Sequence, residues 1–301
     1  MSLITKINNV FSKVESKALL GVSLRQQSLA FFSCSEQETT QFQQINYPLV
    51  EHPQQIKIQQ EKYQLQGQCH LVLASSQTQI VQVDKPNIPE SELNAALKWQ
   101  IKDLVNCSPE DMVLDYFDGP TLAGGNEKIN VVCASKKELL TFIEPLNHNG
   151  LTLKSIITEE FAFASLLKVQ NDACLMVCQQ PNEEIILLIV KQGKVFFSRR
   201  LRGFAQIATK TEEELSFGIV DNLNLEIQRS TDYFERQLKQ APIRSIEVIV
   251  PMVNEALLTR KLAENTNVDV NLLTMPEGFN DAREFAVTIG ATQLNNMEPI
   301  S

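Results

Sequence analysis

Along most of this chain, stretches in which apolar residues alternate with polar ones give way to stretches that repeat them at helical spacing. Ala18 to Leu24 and Ser28 to Ser33 are rich in apolar residues and flank the polar Arg25-Gln26-Gln27, which predicts a β-hairpin. Cys34 to Gln44 is polar and predicts a loop. Gln54 to Leu65 reads as a helix, although Ile56, Ile58 and Tyr63 fit no single period, and His70 to Ala74 reads as a strand. Gln79 to Val83 alternates as a strand that Pro86 and Pro89 end. Ser91-Glu92 then open an amphipathic helix with Leu93, Leu97, Ile101 and Leu104 on one face. Met112 to Phe117 and Lys128 to Ala134 are strands around the turn signals Asp118-Gly119-Pro120 and Gly124-Gly125-Asn126. Lys136 to Asn147 is a helix with Pro145 in its last turn, closed by Asn149-Gly150, and Leu151 to Ile157 is a strand. The resulting β-α-β-β-α-β order is a split-βαβ pattern.

The second half continues the alternation. Phe161 to Val169 predicts a helix, followed by strands at Ala173 to Cys178, Glu184 to Val190 and Lys194 to Arg199, with Gln192-Gly193 as a tight turn. A long helix is expected from Thr211 to Gln240, carrying Leu215, Ile219, Leu223, Ile227, Phe234 and Leu238. Glu212-Glu213-Glu214 at its start and Arg236 and Lys239 at its end complement the macrodipole. Then come strand Ser245 to Val250, helix Asn254 to Asn265, strand Val268 to Leu273 and helix Asp281 to Leu294. Ahead of all this, Leu3, Ile7, Val10 and Val14 stand at helical spacing with Lys6, Lys13 and Lys17 elsewhere on the wheel. That segment either packs on the body or makes a weak membrane-surface or partner contact.

Composition narrows the classes. At 301 residues, 43% hydrophobic and 21% charged, the chain is long enough for about two cores. Lys plus Arg number 27 against 36 Asp plus Glu, a net charge of -9, which argues against nonspecific nucleic-acid binding. The apolar run Ile185 to Val190 falls far short of the ~20 residues of a spanning helix, and no secretory signal opens the chain. The six cysteines lack paired metal-site spacings, so reduced buried thiols in a cytoplasmic protein are expected. His52, His70 and His148 offer little material for imidazole chemistry.

Two halves that each open with a hairpin and continue into αβ units resemble the actin-like ATPase superfamily. Three segments sharpen this: VQVDKPNIPESELNAALKWQIKDLVNCSPEDMVLDYFD (81–118), SIITEEFAFASLL (155–167) and LNLEIQRSTDYFERQL (223–238) resemble the PilM family of type IV pilus assembly proteins, most nearly its mannose-sensitive haemagglutinin (MSHA) branch. The resemblance implies an α/β fold of two related halves with an inserted βαββαβ subdomain of the 1C type. Its boundaries would be an N-terminal segment 1–17, subdomain 1A from 18–83 with 158–172 and 281–295, subdomain 1C from 84–157, and domain 2 from 173–280. It further implies a cytoplasmic scaffold peripheral to the inner membrane, docking the N-terminal peptide of a PilN- or MshJ-like bitopic protein between 1A and 1C. The competing readings are an active ATPase and a GspL-like type II secretion domain, whose relatives continue into a transmembrane helix.

In that superfamily ATP and Mg²⁺ lie between the halves, and two hairpin turns give backbone N–H groups to the phosphates. Small residues are needed there because a Cβ blocks close approach. The family's first turn reads roughly G-I-D-I-G-S-S-S; here it is Gly21-Val22-Ser23-Leu24-Arg25-Gln26-Gln27-Ser28, with Ser23 for the acid and Arg25 for the glycine. The second reads D-I-G-A; here Gln179-Gln180-Pro181-Asn182 lacks the acid and gains a proline. Glycines expected under adenosine are missing around Ile249 to Val253. Glu226, Arg229 and Ser230 do match the family's E-x-x-R-S stretch, and read either as ligand contacts on one helix face or as a solvated face. The resemblance thus places Gly21, Ser23, Arg25, Gln179, Pro181, Gly203, Glu226, Arg229 and Ser230 in a degenerate nucleotide pocket, without turnover, without a catalytic residue and without a dedicated metal site.

Other candidates carry less. Asp111 and Asp115 read better as a turn cap than as an acid/base pair, and Gly124-Gly125 lacks the Lys-Ser/Thr of a P-loop. Arg199-Arg200-Leu201-Arg202 holds an anion or blunts a sheet edge, and Trp99 is a core or interface aromatic.

Overall fold

In the computed structural model, residues 18–34, 40–119, 127–147 and 150–294 are described. The expected N-terminal amphipathic segment, Gly124-Gly125 and His148 lie outside them. The chain divides into two compact units, residues 1–159 and 160–301.

In the first unit the strands are β1 (Leu19–Leu24), β2 (Leu29–Cys34), β3 (Gln41–Ile45), β4 (Gly67–Val72), β5 (Thr78–Asp84), β6 (Met112–Asp118), β7 (Lys128–Ser135) and β8 (Leu151–Ile157), with helices α1 (His52–Tyr63), α2 (Glu90–Ile101) and α3 (Lys136–Leu146). Five strands form a mixed sheet in the order β3-β2-β1-β4-β8. The hairpin β1–β2 is antiparallel, whereas β1–β4 and β4–β8 are parallel. One face of β1 carries Leu20, Val22 and Leu24 into a core closed by Ile56 of α1 and by Leu139, Phe142 and Leu146 of α3. Each such buried aliphatic or aromatic side chain contributes roughly 1.5–3 kcal/mol relative to exposure.

Three elements depart from the sequence reading. The segment expected to be a loop ends in β3, whose Gln41-Phe42-Gln43-Gln44-Ile45 is too polar to signal a strand; it is an edge strand, and pairing with β2 holds it. The β-α-β-β-α-β order is present, but its strands divide between two sheets. β5, β7 and β6 form a three-stranded antiparallel sheet that packs Val83, Ile129, Val131 and Cys133 on Leu93, Leu97 and Ile101 of α2. The fourth strand, β8, pairs with β4, and α3 packs its apolar stripe into the larger core. The separate layer is therefore Thr78–Ser135, smaller than the expected 84–157. The reason is β4: Cys69, Leu71 and Val72 are wholly buried, and a strand buried on both faces needs a neighbour on each edge.

The second unit repeats the first. β9 (Cys174–Cys178), β10 (Ile185–Lys191), β11 (Lys194–Leu201), β12 (Ser245–Ile249) and β13 (Asp269–Leu272) lie in the order β11-β10-β9-β12-β13. Their pairings match those of β3-β2-β1-β4-β8 in sense, antiparallel on the hairpin side and parallel beyond it. Its helices are α4 (Glu159–Ala164), α5 (Val220–Asp232), α6 (Glu255–Ala263) and α7 (Ala286–Thr292). The long helix expected at 211–240 is interrupted: Thr211 caps a short helical turn with Glu214, then Phe217 (φ -98°, ψ 73°) and Gly218 (φ 85°) leave helical geometry before α5 begins. The apolar repeat runs through this break and so conceals it; Gly218 is the residue that tolerates the left-handed turn. Residues 160–172 and 281–294, expected with the first sheet, group with the second unit. There α4 and α7 touch closely, Ser165 Oγ donating to the carbonyls of Ala162 (2.8 Å) and Gly290 (2.6 Å).

A Cβ on Gly290 would stand 1.9 Å from the Ala162 carbonyl oxygen. Gly290→Ala is therefore expected to destabilise the protein by about 1–3 kcal/mol in urea titration despite alanine's better helix propensity. On β4, His70 Nδ1 lies 2.7 Å from Ser155 Oγ, and burial, aided by Lys154, lowers its pKa to about 4. The folded state thus keeps His70 neutral while the unfolded chain protonates it near the ordinary value of 6.5. Stability is expected to fall as pH drops from 6.5 through 4, and His70→Gln should flatten that slope in denaturation midpoints. His52, also lowered by burial, leaves a residual slope.

Candidate functional site

The first hairpin turn is filled by its own side chains. Gly21 and Ser23 stand in β1, and Ser23 is wholly buried. Arg25, only 1% exposed, closes the turn by donating its N–H to the Ser28 carbonyl (3.0 Å) and turns its guanidinium back to Gln44 Oε1 on β3 (2.8 Å). The Gln26 carbonyl accepts the Leu49 N–H (3.0 Å), and the Gln26 amide donates to Ser76 Oγ. A glycine turn would leave its N–H groups facing a ligand; this one is knitted to β3 and to the loops on either side.

The second turn, within the second unit, is closed in a different way. Gln179 is buried; its N–H donates to the Ile249 carbonyl (2.8 Å) and its amide to the carbonyls of Glu183 (2.7 Å) and Phe204 (2.9 Å). Asn182 takes a left-handed φ of 62° after Pro181, which has no N–H to offer. The Glu184 carboxylate accepts the N–H groups of Gly203 (3.0 Å) and Phe204 (2.7 Å), so the backbone donors after β11 already hold an anion from the protein itself. Where glycines were missed in the sequence, Glu255 accepts the Val250 N–H (2.6 Å) and pairs with Arg283, which also donates to the carbonyls of Leu273 (2.9 Å) and Val248 (3.1 Å).

A cavity of about 390 Å³ opens between the segment after β11 and helix α5. Arg202, Lys210, Arg229 and Glu226 supply its charges, and Phe204, Ile207, Ile219 and Leu225 its apolar wall. Glu226 is gripped on both oxygens, by Arg229 Nη1 and by Arg199 Nη2 of β11, each at 2.6 Å. Of the sequence candidates, Gly203, Glu226 and Arg229 meet at this cavity. Ser230 does not: its wholly buried hydroxyl donates to the Glu226 carbonyl (2.8 Å) within the helix. Gly21, Ser23 and Arg25 belong to the first unit, and Gln179 and Pro181 to the second turn.

The remaining candidates resolve individually. Asp111 accepts Ser135 Oγ (2.6 Å) and the Lys137 N–H (3.0 Å), which ties it to the start of α3; the Ser135 bond leads in lowering its pKa. Asp115 bonds the adjacent Tyr116 N–H and forms no acid/base pair with it. The arginine run divides three ways: Arg199 pairs with Glu226, Arg200 with Glu160 (3.7 Å), and Arg202 lines the cavity. Trp99 is 65% exposed beneath Lys102, so it is not a core residue. Cys174 and Cys178 are buried in β9, and burial raises Cys174 to about 11. Among the described residues no group of three His, Cys, Asp or Glu is placed to hold a metal ion, and no helix is long and apolar enough to cross a membrane.

Sequence reasoning missed Glu184, Gln44, Glu255 and Arg283, all acting as internal partners. Their only signal was the absence of glycine from the turns they stabilise and of acid at Ser23 and Gln179. Glu184→Ala is expected to cost about 0.5–1.5 kcal/mol by releasing two N–H groups to water, and to speed amide exchange at Gly203 and Phe204.

No family model matches the chain, and no curated protein matches it. Solved structures do. A PilM–PilN type IV pilus biogenesis complex superimposes with a TM-score of 0.70 at 16% identity, covering 96% of this chain and 100% of that one. The cytoplasmic domain of EpsL, an inner-membrane component of the type II secretion system of Vibrio cholerae, gives 0.51 at 14% identity, over 84% and 97%. A Bacteroides thetaiotaomicron protein of unknown function with an actin-like ATPase fold gives 0.53 at 10% identity, over 96% and 98%. The two matching five-stranded sheets and these likenesses lead to one conclusion: the chain has the actin-like ATPase fold.

Proposed function

We propose that this chain is a cytoplasmic scaffold of a type IV pilus assembly platform, MshI-like and of the MSHA type, which docks the N-terminal peptide of a PilN- or MshJ-like inner-membrane protein and does not turn over ATP. The observation that carries the reading is the end-to-end likeness to the PilM of the PilM–PilN complex, in a chain whose two hairpin turns are filled by their own side chains. An actin-like ATPase needs N–H donors and a carboxylate at those turns; Arg25, Gln179 and Pro181 supply neither. The likeness to EpsL supports the alternative of a GspL-like secretion platform.

Partner docking follows from the resemblance, which puts the peptide between subdomains 1A and 1C. In this reading the five-stranded sheet β3-β2-β1-β4-β8 and the Thr78–Ser135 layer, both in the first unit, would take those two places. A membrane address would then come through the partner. The cavity at Arg202, Glu226 and Arg229 supports a second element, weak nucleotide binding without hydrolysis.

The test is a titration of the full chain with the partner's N-terminal peptide, followed by hydrogen exchange of the complex. Binding with protection in β5–β7, α2 and the adjoining first sheet is the expected result. Absence of binding, or protection confined to the second unit, overturns the docking reading. Steady phosphate release from Mg-ATP by the same preparation would overturn the non-catalytic one.

A further inference from the structure

We propose that the cavity between the segment after β11 and helix α5 takes a nucleotide as a metal-free polyphosphate anion, with Arg202 and Arg229 supplying the charge that Mg²⁺ supplies in actin-like ATPases. The inference rests on the nucleotide-binding element of the proposed function and is independent of partner docking.

The residues present do not fit the magnesium that the fold implies. Neither hairpin turn carries a carboxylate where the family's acids stand: Ser23 and Gln179 are buried in those places, and the Gln179 amide is spent on two carbonyls. The acids around the cavity are engaged as well. Glu226 is neutralised by Arg199 and Arg229, Glu184 holds the Gly203 and Phe204 N–H groups, and Glu214 pairs with Lys210 (3.0 Å) and caps Thr211. A hydrated Mg²⁺ carried in on a triphosphate would meet guanidinium groups where it needs anionic or neutral oxygen.

The same arrangement suits a bare polyphosphate. Arg202 has no partner among the described residues, and Arg229 gives one N–H to Glu226, which leaves others for phosphate oxygens. Guanidinium groups bind phosphate oxygens in pairs and stay charged at any working pH. Beside them, Phe204, Ile207, Ile219 and Leu225 offer an apolar wall to a flat base, and a cavity of about 390 Å³ lies within the size of small-ligand sites.

Calorimetric titration of the full chain with ATP, once in excess EDTA and once in excess Mg²⁺, tests this, with inorganic tripolyphosphate as the base-free arm. The expected result is binding in EDTA at least as tight as in Mg²⁺, weaker binding of tripolyphosphate, and a loss of about ten-fold with Arg202→Gln or Arg229→Gln. Arg202 is exposed, so Arg202→Gln tests the site without disturbing the core. Tighter binding in Mg²⁺ overturns the proposal, as does wild-type affinity in both variants or no ATP binding in either buffer. Tripolyphosphate bound as tightly as ATP overturns the placement of the base. Peptide docking in the same preparation separates failure here from failure of the scaffold reading.

Discussion

Each half of this protein depends on a central strand that is buried on both faces and paired on both edges. β9 has every residue from Cys174 to Cys178 out of water between β10 and β12, and β1 holds the same place between β2 and β4. Such a strand leaves no backbone donor or acceptor unpaired only if a neighbour flanks it on each edge, here a hairpin partner on one side and a parallel strand on the other. The five-strand order, its repetition, and the recruitment of β8 and α3 to the larger sheet all follow from that requirement.

The turns leaving these strands are where actin-like folds do their chemistry, and here the protein closes them on itself. Arg25 lies buried against Gln44, Gln179 ties its turn to Phe204, and Glu184 occupies the N–H groups after β11. Polar groups that a ligand would satisfy are satisfied internally, as a folded protein requires when no ligand is obligatory. The Glu255–Arg283 pair does the same at the ends of β12 and β13.

Much of this architecture was legible in the residues. Strands β1, β2, β5 to β8 and β9 to β13 announced themselves by dense or alternating apolar residues, and α2 and α3 by their stripes. The polar β3 did not, because edge pairing rather than side-chain burial stabilises it. The break at Phe217-Gly218 was hidden by an apolar repeat that continues through it. Among site residues, the i, i+3 spacing of Glu226 and Arg229 correctly put both on one helix face, yet the same spacing rule wrongly included Ser230, which turns inward.

The sequence alone determined the order of most elements, the duplication, and the absence of glycine from both turns and of acid at Ser23 and Gln179, because these depend on residue type and local period. Tertiary structure alone decided which sheet β8 joins, where Arg25 sends its charge, and that Arg199 from a strand meets Glu226 from a helix. Those are choices of partner between segments distant in the chain, and periodicity carries no information about partners. Whether a polar side chain faces a ligand or another part of its own protein is such a choice.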